Sequence, residues 1–285
     1  MSRCWKIAWV GVAVLLIGNI LVWSAVAREE RGGVLQVAFL DVGQGDAIYI
    51  EAPNGNQVLI DGGPGKAVLR QLPQVMPFYD KSIDLLIATH PDADHISGLV
   101  SVLERYQVDY FMEPGVESET GVYRALQEAV QEEGLESVLA RRGLRVNLDP
   151  ERNVYLDILF PDRDPKGWKS NDASIITKLS YGRHSFLLTG DAPKKMEQYV
   201  SELNAAGLAA TVLKVGHHGS QTSSDQEFVS AVSPDYAVIS VNANNRYGHP
   251  HQVVLDTLDQ LKIKILDTTE GNIQFETDGI NLELI

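Results

Sequence analysis

The sequence predicts an α/β protein whose mixed β-sheets carry helices on their outer faces. Two observations lead to this fold class. From Val34 onward, short apolar runs typical of strands alternate with longer segments of helical spacing. Hairpin signals interrupt the alternation, as at Pro53-Asn54-Gly55-Asn56 between two apolar runs, so a purely parallel sheet does not fit. Residues 34–285 show no composition typical of a linker, and we treat them as one domain that follows an N-terminal segment over residues 1–33.

The strands are predicted from apolar or alternating runs bounded by turn residues. Gly182-Arg183-His184 joins two of the runs, and Asp278-Gly279 turns the last run back on itself. The predicted strands are 34–40, 47–51, 57–60, 83–88, 153–160, 174–181, 185–189, 211–215, 236–241, 263–266 and 273–284.

The helices are predicted from apolar residues that recur at intervals of three and four. The segment 96–106 shows this well, because Ile96, Leu99, Val100 and Leu103 fall on one face. Proline or glycine lies on both sides of the first predicted helix. The predicted helices are 67–75, 96–106, 123–133, 194–206, 226–232 and 253–261.

The composition of the 285 residues is 44% hydrophobic and 22% charged, with a single cysteine. These values exclude a disordered, collagen-like or disulfide-stapled chain. The formal net charge is −14, and it becomes −16 once residues 1–33, with four basic and two acidic residues, are set aside. This balance argues against a broad basic surface for nucleic acid. A local phosphate site stays open, and its candidate cations are Lys169, Lys178, Arg183, Lys214 and Arg246.

The N-terminal segment contains 21 residues without a charge, at positions 7–27, after Arg3 and Lys6. Such a run is long enough to cross a membrane, and its basic flank would stay in the cytoplasm. The sequence therefore predicts a membrane anchor with the rest of the chain outside the cytoplasm. A cleavable signal peptide is the alternative, since Ala25-Val26-Ala27 has the form of a cleavage site and would give a secreted protein.

The strongest chemical signal is Thr89-His90-Pro91-Asp92-Ala93-Asp94-His95, between an apolar strand and an amphipathic helix. Two histidines and two aspartates in a strand-to-helix loop can converge on one point, and they are ligands suited to Zn or Mn. The alternative is a polar helix cap by Asp92 or Asp94. Because a cap needs one carboxylate and no histidine, we interpret the segment as a metal site.

Three further polar clusters follow predicted strands. They are Thr189-Gly190-Asp191, Gly216-His217-His218-Gly219-Ser220 and the stretch from Asn244 to Pro250 that contains His249. Together with residues 90–95 they supply enough ligands for two metal ions.

The chain resembles the metallo-β-lactamase superfamily, and more closely the hydrolase domain of ComEC-type DNA-uptake proteins. The resemblance covers about residues 34–285 and rests on the polar clusters together with three further motifs. These motifs are residues 39–46 (Phe-Leu-Asp-Val-Gly-Gln-Gly-Asp), Leu59-Ile60-Asp61-Gly62-Gly63 and Asn171-Asp172-Ala173-Ser174. It implies a four-layer αββα sandwich with two divalent metal ions, Zn or Mn, at one edge. It also implies hydrolysis of a phosphodiester, as in a nuclease, by a hydroxide that the two metals share.

The resemblance also implies a ligand set. His90, Asp92 and Asp191 would hold the first ion; Asp94, His95, Asp191 and His218 would hold the second. His217 and His218 are alternatives for one position, with the other facing the substrate, so His217, Asp94 and Asp191 are the candidate catalytic residues. Asp92 stands where the superfamily usually has histidine, and an oxygen ligand there shifts the balance from Zn towards Mn.

The remaining candidates would support the ligands or contact the substrate. Asp61, and with it Asp41, would orient a ligand from behind, Asp61 through the second ring nitrogen of an imidazole. The candidate contacts to phosphate or leaving group are Asn171, Ser174, Ser220 and His249.

Two other functions stay open at this point. One is a hydrolase of the same fold that acts on a smaller ester, such as a phosphocholine ester, a cyclic dinucleotide or, least favoured, a β-lactam. The other is a binding module without catalysis, which would predict lost metal ligands, whereas the ligand set here looks complete. The partners expected are a phosphodiester substrate and, through residues 7–27, a membrane, with no stable protein partner.

Overall fold

The computed structural model of the protein describes residues 9–20, 23, 32–204 and 207–285. Residues 9–20 are helical and exposed. Among the described residues, no helix has both the length and the apolar character needed to span a membrane. The predicted anchor over 7–27 is therefore not supported by the described residues, and the rest of that segment lies outside them.

The first sheet has eight strands, in the order β15-β14-β1-β2-β3-β4-β5-β6. The strands β3 to β6 run parallel to one another, and the remaining neighbours are antiparallel. Their bounds are β1 Leu35–Phe39, β2 Ile48–Glu51, β3 Gln57–Ile60, β4 Ser82–Ile87, β5 Gln107–Glu113, β6 Ser137–Leu139, β14 Ile273–Thr277 and β15 Leu282–Leu284.

The second sheet has seven strands, in the order β13-β12-β11-β10-β9-β8-β7. Its half from β10 to β13 is parallel and its half from β7 to β10 is antiparallel. The bounds are β7 Arg145–Asp149, β8 Val154–Phe160, β9 Ile176–Tyr181, β10 His184–Leu188, β11 Val212–Lys214, β12 Tyr236–Ile239 and β13 Lys264–Asp267.

The two sheets pack face to face, and six of the described helices cover their outer faces. The helices are α1 Val68–Val75, α2 Ala93–Leu103, α3 Gly121–Glu132, α4 Lys194–Asn204, α5 Gln226–Val232 and α6 Gln252–Gln260. One apolar cluster fills the space between the sheets, with Phe39 and Phe186 buried in it. A second lies under α1 to α3, and a third under α4 to α6. This is the predicted four-layer αββα arrangement, and each face buries apolar side chains that would otherwise meet water.

The predicted strands and helices are observed with bounds within a few residues, except that positions 205–206 of the predicted helix 194–206 lie outside the described residues. Helix α2 begins at Ala93 rather than Ile96, so Asp94 and His95 lie in its first turn and not in a loop. Three strands were not predicted: β5, β6 and β7. Strand β5 mixes exposed and buried positions without a regular alternation, and it becomes a strand because its backbone pairs with the buried strand β4.

Candidate metal centre

The candidate ligands follow the carboxyl ends of parallel strands at one edge of the sandwich. His90 comes three residues after β4, Asp191 three after β10, and His218 four after β11. Parallel strands place their carboxyl ends at the same edge, so residues far apart in sequence converge there.

Asp191 lies at the centre of the cluster. Its Oδ1 is 3.4 Å from His95 Nε2, and its Oδ2 is 3.6 Å from His218 Nε2 and 3.9 Å from His90 Nε2. The Asp94 Oδ2 atom is also 3.6 Å from His218 Nε2. Two ligands about 2.0–2.1 Å from one tetrahedral ion lie roughly 3.4 Å apart. The observed separations therefore leave room for ions between these atoms.

Four buried polar atoms of the cluster have no hydrogen-bond partner among the described residues. They are the Nε2 atoms of His90, His95 and His218, and Oδ1 of Asp191. A buried polar atom without a partner costs about 1–3 kcal/mol, and native proteins contain few of them. Four aimed at one region fit a divalent cation, which imidazole nitrogen and carboxylate oxygen together can hold.

The opposite nitrogen of each imidazole is held in place. His95 Nδ1 is 2.7 Å from Asp61 Oδ2, and His218 Nδ1 donates to the Ser240 carbonyl at 2.9 Å. His90 Nδ1 is 2.9 Å from Thr89 Oγ1. Fixing Nδ1 in this way directs Nε2 toward the centre. The structure thus places the Asp61 carboxylate beside Nδ1 of the His95 imidazole.

Asp61 itself is held rigidly against α2. Its carboxylate accepts from the Thr89 amide at 2.8 Å and from the Thr89 hydroxyl at 2.6 Å. The next residue, Gly62, donates to the His95 carbonyl at 2.7 Å. A Cβ on Gly98 would lie 1.9 Å from the Gly62 carbonyl oxygen, so only glycine permits this close approach of helix and loop.

A buried ion pair lies behind the imidazoles, and sequence reasoning missed it. Lys214 Nζ is 2.5 Å from Asp46 Oδ2, with both side chains at most 2% exposed. Asp46 Oδ1 is 3.5 Å from His218 Nδ1. Lys214 is therefore not a surface phosphate contact. The signal available in the sequence was the glycine that precedes Asp46. A Cβ on Gly45 would lie 2.0 Å from the Asp94 carbonyl oxygen, so the position requires glycine. This turn carries Asp46 to the site.

Asp92 occupies the N-cap position of α2, but its side chain makes no cap hydrogen bond. Its Oδ1 instead accepts from the Ser170 hydroxyl at 2.6 Å, and its Oδ2 is 3.7 Å from His90 Nε2. The cap alternative therefore does not describe this side chain. Its position beside His90 suits the ligand set expected for the first ion.

The two adjacent histidines point in different directions. Both have left-handed backbone, with φ of 48° at His217 and 55° at His218, which is rare outside glycine and asparagine. His218 is buried and directs Nε2 at Asp94 and Asp191. His217 is 30% exposed, with Nε2 3.7 Å from Asp191 Oδ2 and Nδ1 3.1 Å from Thr222 Oγ1. The geometry favours His218 as ligand of the second ion and leaves His217 facing the open side.

Two expected substrate contacts are instead structural. Ser174 is fully buried, and its hydroxyl accepts from the Asp191 amide at 3.3 Å. Ser220 is 5% exposed, and its hydroxyl bonds Thr222 within the same loop. Neither hydroxyl lies open to a substrate, because both are used to shape the loops that carry ligands.

The three other expected residues lie in different surroundings. Asp41 does not support an imidazole: its carboxylate accepts from the Gly43 amide and shapes the turn there. Asn171 lies half-buried in a short 3₁₀ helix, Asn171–Ala173. The half-buried His249 packs its ring 5.8 Å from that of His217 and 6.5 Å from that of His218, at the mouth of the site.

The electrostatics of the site favour a positive charge at its centre. Burial opposes protonation of His95, but Asp191 and Asp61 outweigh it and raise its pKa well above the ordinary value. Burial likewise opposes ionisation of Asp191, yet His218 and His95 hold its pKa well below its usual range. The carboxylates thus keep a proton on His95 when no cation is bound. A metal ion would compete for the same place.

The chain belongs to the metallo-beta-lactamase superfamily, whose model matches residues 40–243. Its curated relatives include ComE operon protein 3 of Bacillus subtilis, 34% identical over 84% of this chain and 33% of that protein. Competence protein ComA of Neisseria gonorrhoeae is 29% identical over 92% of this chain and 35% of that protein. The chain therefore spans about one third of the length of these relatives, which are competence proteins of the ComEC type.

Solved structures share the fold at low identity. CmlA, a diiron β-hydroxylase from Streptomyces venezuelae, has a TM-score of 0.55 and 15% identity over 88% of this chain and 54% of its own. A long form RNase Z from yeast has a TM-score of 0.52 and 9% identity over 88% of this chain and 42% of its own. A hydroxylase and a ribonuclease thus share this fold, so the fold alone does not determine the reaction.

Proposed function

We propose that the protein is a phosphodiesterase of nuclease type that depends on two divalent metal ions, Mn or Zn. The observation that carries this proposal is that the buried Nε2 atoms of three histidines around Asp191 have no hydrogen-bond partner in the described part of the chain. The similarity to competence proteins of the ComEC type supports a phosphodiester as the substrate class.

The residues divide into two overlapping ligand sets. His90, Asp92 and Asp191 would hold one ion, and Asp94, His95, Asp191 and His218 would hold the other. Bound there, the ions would lower the pKa of water to near neutral and offset the charge that develops on the phosphoryl oxygens.

Buried histidines close the site on one side, and partly exposed histidines line its open side. The imidazoles of His90, His95 and His218 are buried and fixed from behind, so they resist movement when the charge changes. His217 and His249 lie on the open side, where a phosphate ester would approach. Burial, followed by the charges of His217 and His218, lowers the pKa of His249 to about 4, so His249 stays neutral at pH 7 and can accept or donate a hydrogen bond.

The test uses the full chain purified without chelator. We expect about two metal ions per chain by elemental analysis, and cleavage of bis-p-nitrophenyl phosphate that depends on added Mn²⁺ or Zn²⁺. Asp191→Ala should lose both the bound metal and the cleavage, whereas Asp162→Ala, which removes a carboxylate outside the site, should keep both. Absence of metal and of cleavage with either ion would overturn the proposal.

A panel of substrates separates the nuclease from the hydrolase of a smaller ester. Single-stranded DNA, a cyclic dinucleotide and p-nitrophenylphosphocholine would each be compared with the aryl ester under the same metal. A preference for DNA of tenfold or more in kcat/KM is expected. A preference for either small ester would favour the alternative function.

We also propose that the catalytic domain lies outside the cytoplasm. This rests on the sequence of residues 7–27 and its basic flank alone. Protease added to spheroplasts should digest a C-terminal tag on the full chain while a cytoplasmic marker survives. Protection of the tag until the cells are lysed would contradict this location.

A further inference from the structure

A groove of about 580 Å³ opens beside the candidate metal centre. Asp94 lines one end of it, and the same side chain lies 3.6 Å from His218 Nε2. The groove therefore begins where the reacting group would be bound. Its volume is in the range of sites for single small ligands and suits one nucleoside unit rather than a length of double helix.

Two loops and the start of a helix form the walls of this groove. One wall is the turn at Val42–Gln44 with the first turn of α2, and the other is the loop 242–247 that follows β12. The two loops are in contact, because the Asn242 backbone amide donates a hydrogen bond to Gln44 Oε1 at 3.4 Å. Within loop 242–247, the Asn245 side chain accepts from the amides of Tyr247 and His249, at 3.1 and 2.9 Å. The wall is thus held in shape without a ligand.

Tyr247 supplies an exposed aromatic ring to the groove. Its side chain is 49% exposed, and its ring stacks near that of His249 at 5.6 Å with an interplanar angle of 24°. The Arg246 guanidinium donates to the Tyr247 hydroxyl at 2.9 Å and lies 5.0 Å from the ring centre. The ring is therefore oriented in advance, and the adjacent cation gives the wall a local positive charge.

Most of the remaining polar side chains that line the groove are amides. Gln44, Asn242 and Asn244 each bring a side-chain amide to the lining, and Arg246 is the one basic residue among the lining residues. Amides pair with the edges of nucleobases, and an aromatic ring stacks on their faces. A purely aliphatic ester group would use neither.

From this arrangement we infer that the groove binds the base of the nucleotide next to the scissile phosphate, with Tyr247 as its stacking platform. This rests on the proposed function for the reacting phosphate, and it adds the subsite that distinguishes a nucleotide ester from a simple phosphodiester. When an aromatic side chain that stacks on a base is replaced by alanine, binding becomes about five- to 150-fold weaker.

The test compares esters that share one leaving group. Thymidine 5′- and 3′-p-nitrophenyl phosphates carry a base, whereas methyl p-nitrophenyl phosphate does not. We expect the full chain with Mn²⁺ to prefer a thymidine ester in kcat/KM by about tenfold or more. Tyr247→Ala should remove most of that preference while leaving the methyl ester within about twofold, and Tyr247→Phe should retain it. Tyr110→Ala, which truncates a 64% exposed tyrosine on β5, is the matched control and should change nothing.

A binding measurement separates failure of the inference from failure of the proposed function. Fluorescence anisotropy with labelled pentathymidylate and Mn²⁺ should show binding by the wild type that is about tenfold weaker in Tyr247→Ala. Hydrolysis of all three esters at equal efficiency, with no effect of Tyr247→Ala, would overturn the inference and leave the phosphodiesterase standing. If no ester is cleaved, the proposed function fails, and unchanged pentathymidylate binding by Tyr247→Ala would overturn the base site as well.

Discussion

At the residue scale, the site depends on what lies behind each ligand as much as on the ligand. His95 would meet a metal ion through Nε2, but its orientation comes from the Asp61 carboxylate 2.7 Å from Nδ1. Asp61 has φ of 58°, a backbone conformation that asparagine also tolerates. This permits a substitution that removes charge and leaves the shape.

Asp61→Asn should therefore weaken metal binding without unfolding the protein. Loss of a partner behind a metal-binding histidine costs about 10- to 100-fold in metal affinity. Calorimetric titration of the metal-free full chain with Zn²⁺ measures this affinity. Asp41→Asn is the control, because that carboxylate accepts from the Gly43 amide and shapes the turn there. Equal affinity in Asp61→Asn and wild type would refute the role given to Asp61.

The pair of Lys214 and Asp46 gives a second prediction at this scale. Lys214→Met leaves the Asp46 charge buried without the lysine that neutralises it and should lower the free energy of unfolding by about 3–5 kcal/mol. The double variant Asp46→Asn with Lys214→Met should recover most of this loss, because it buries no charge. Urea denaturation of the metal-free proteins measures both.

Lys178→Met is the control for this pair, since Lys178 Nζ lies at a partly exposed position and donates to the Gly207 carbonyl at 2.7 Å. It should change the free energy of unfolding by about 0.5 kcal/mol or less. A double variant as unstable as Lys214→Met would mean that packing, and not the unpaired charge, accounts for the loss.

At the scale of elements, α4 is joined to the histidine loop by a buried carboxylate. Glu197, 1% exposed, accepts from the amides of Ser224 and Asp225 at 2.9 and 2.8 Å. These residues lie just beyond the turn that carries His217 and His218. Burial raises the pKa of Glu197 from 4.5 to about 7 despite the two amide donors.

This raised pKa predicts how stability changes with pH. Between about pH 4.5 and pH 7 the folded state binds more protons than the unfolded state at Glu197, so its contribution is present at low pH and is lost as pH rises. Over this range the free energy of unfolding should fall by up to roughly 1.4 kcal/mol per pH unit. Glu197→Gln removes this dependence. The free energy of unfolding of the variant, relative to that of the wild type, should therefore increase from pH 5 to pH 7 and stay constant above pH 7.

Urea denaturation at pH 5, 6, 7 and 8, in the presence of a chelator, provides the measurement. Glu202→Gln, an exposed carboxylate on the same helix, should follow the wild type at every pH. A constant difference between Glu197→Gln and wild type across this range would contradict the raised pKa.

At the scale of the whole molecule, net charge limits what the surface can bind. Residues 34–285 carry a net charge of −16, so long duplex DNA meets general repulsion outside the metal centre. With chelator present at 150 mM salt, a labelled 30-base-pair duplex should bind the full chain more weakly than about 100 μM, the weak end of non-specific DNA affinities. Asp191→Ala with Mn²⁺ should behave alike; micromolar binding by the metal-free protein would contradict this expectation.

The sequence by itself determined the fold class and most of the ligand candidates. Strand and helix periods predicted the alternating elements, because side chains on a half-buried element must repeat with its geometry. The clustering of His90, Asp92, Asp94 and His95 predicted a metal site, because a cap does not need histidine. Strand β5 escaped prediction, because its pairing with β4 and not its own pattern makes it a strand.

Only the tertiary structure decided which side chains face one another. It separated His218 from His217, which neighbouring letters could not do, because a left-handed turn sends the two rings in different directions. It showed that Ser174 and Ser220 are buried away from a substrate. It also showed that Asp46 and Lys214, 168 residues apart in sequence, form an ion pair. Local periodicity encodes what each element is, whereas the meeting of strand ends at one edge arises only when two sheets pack, since that packing joins segments distant in sequence.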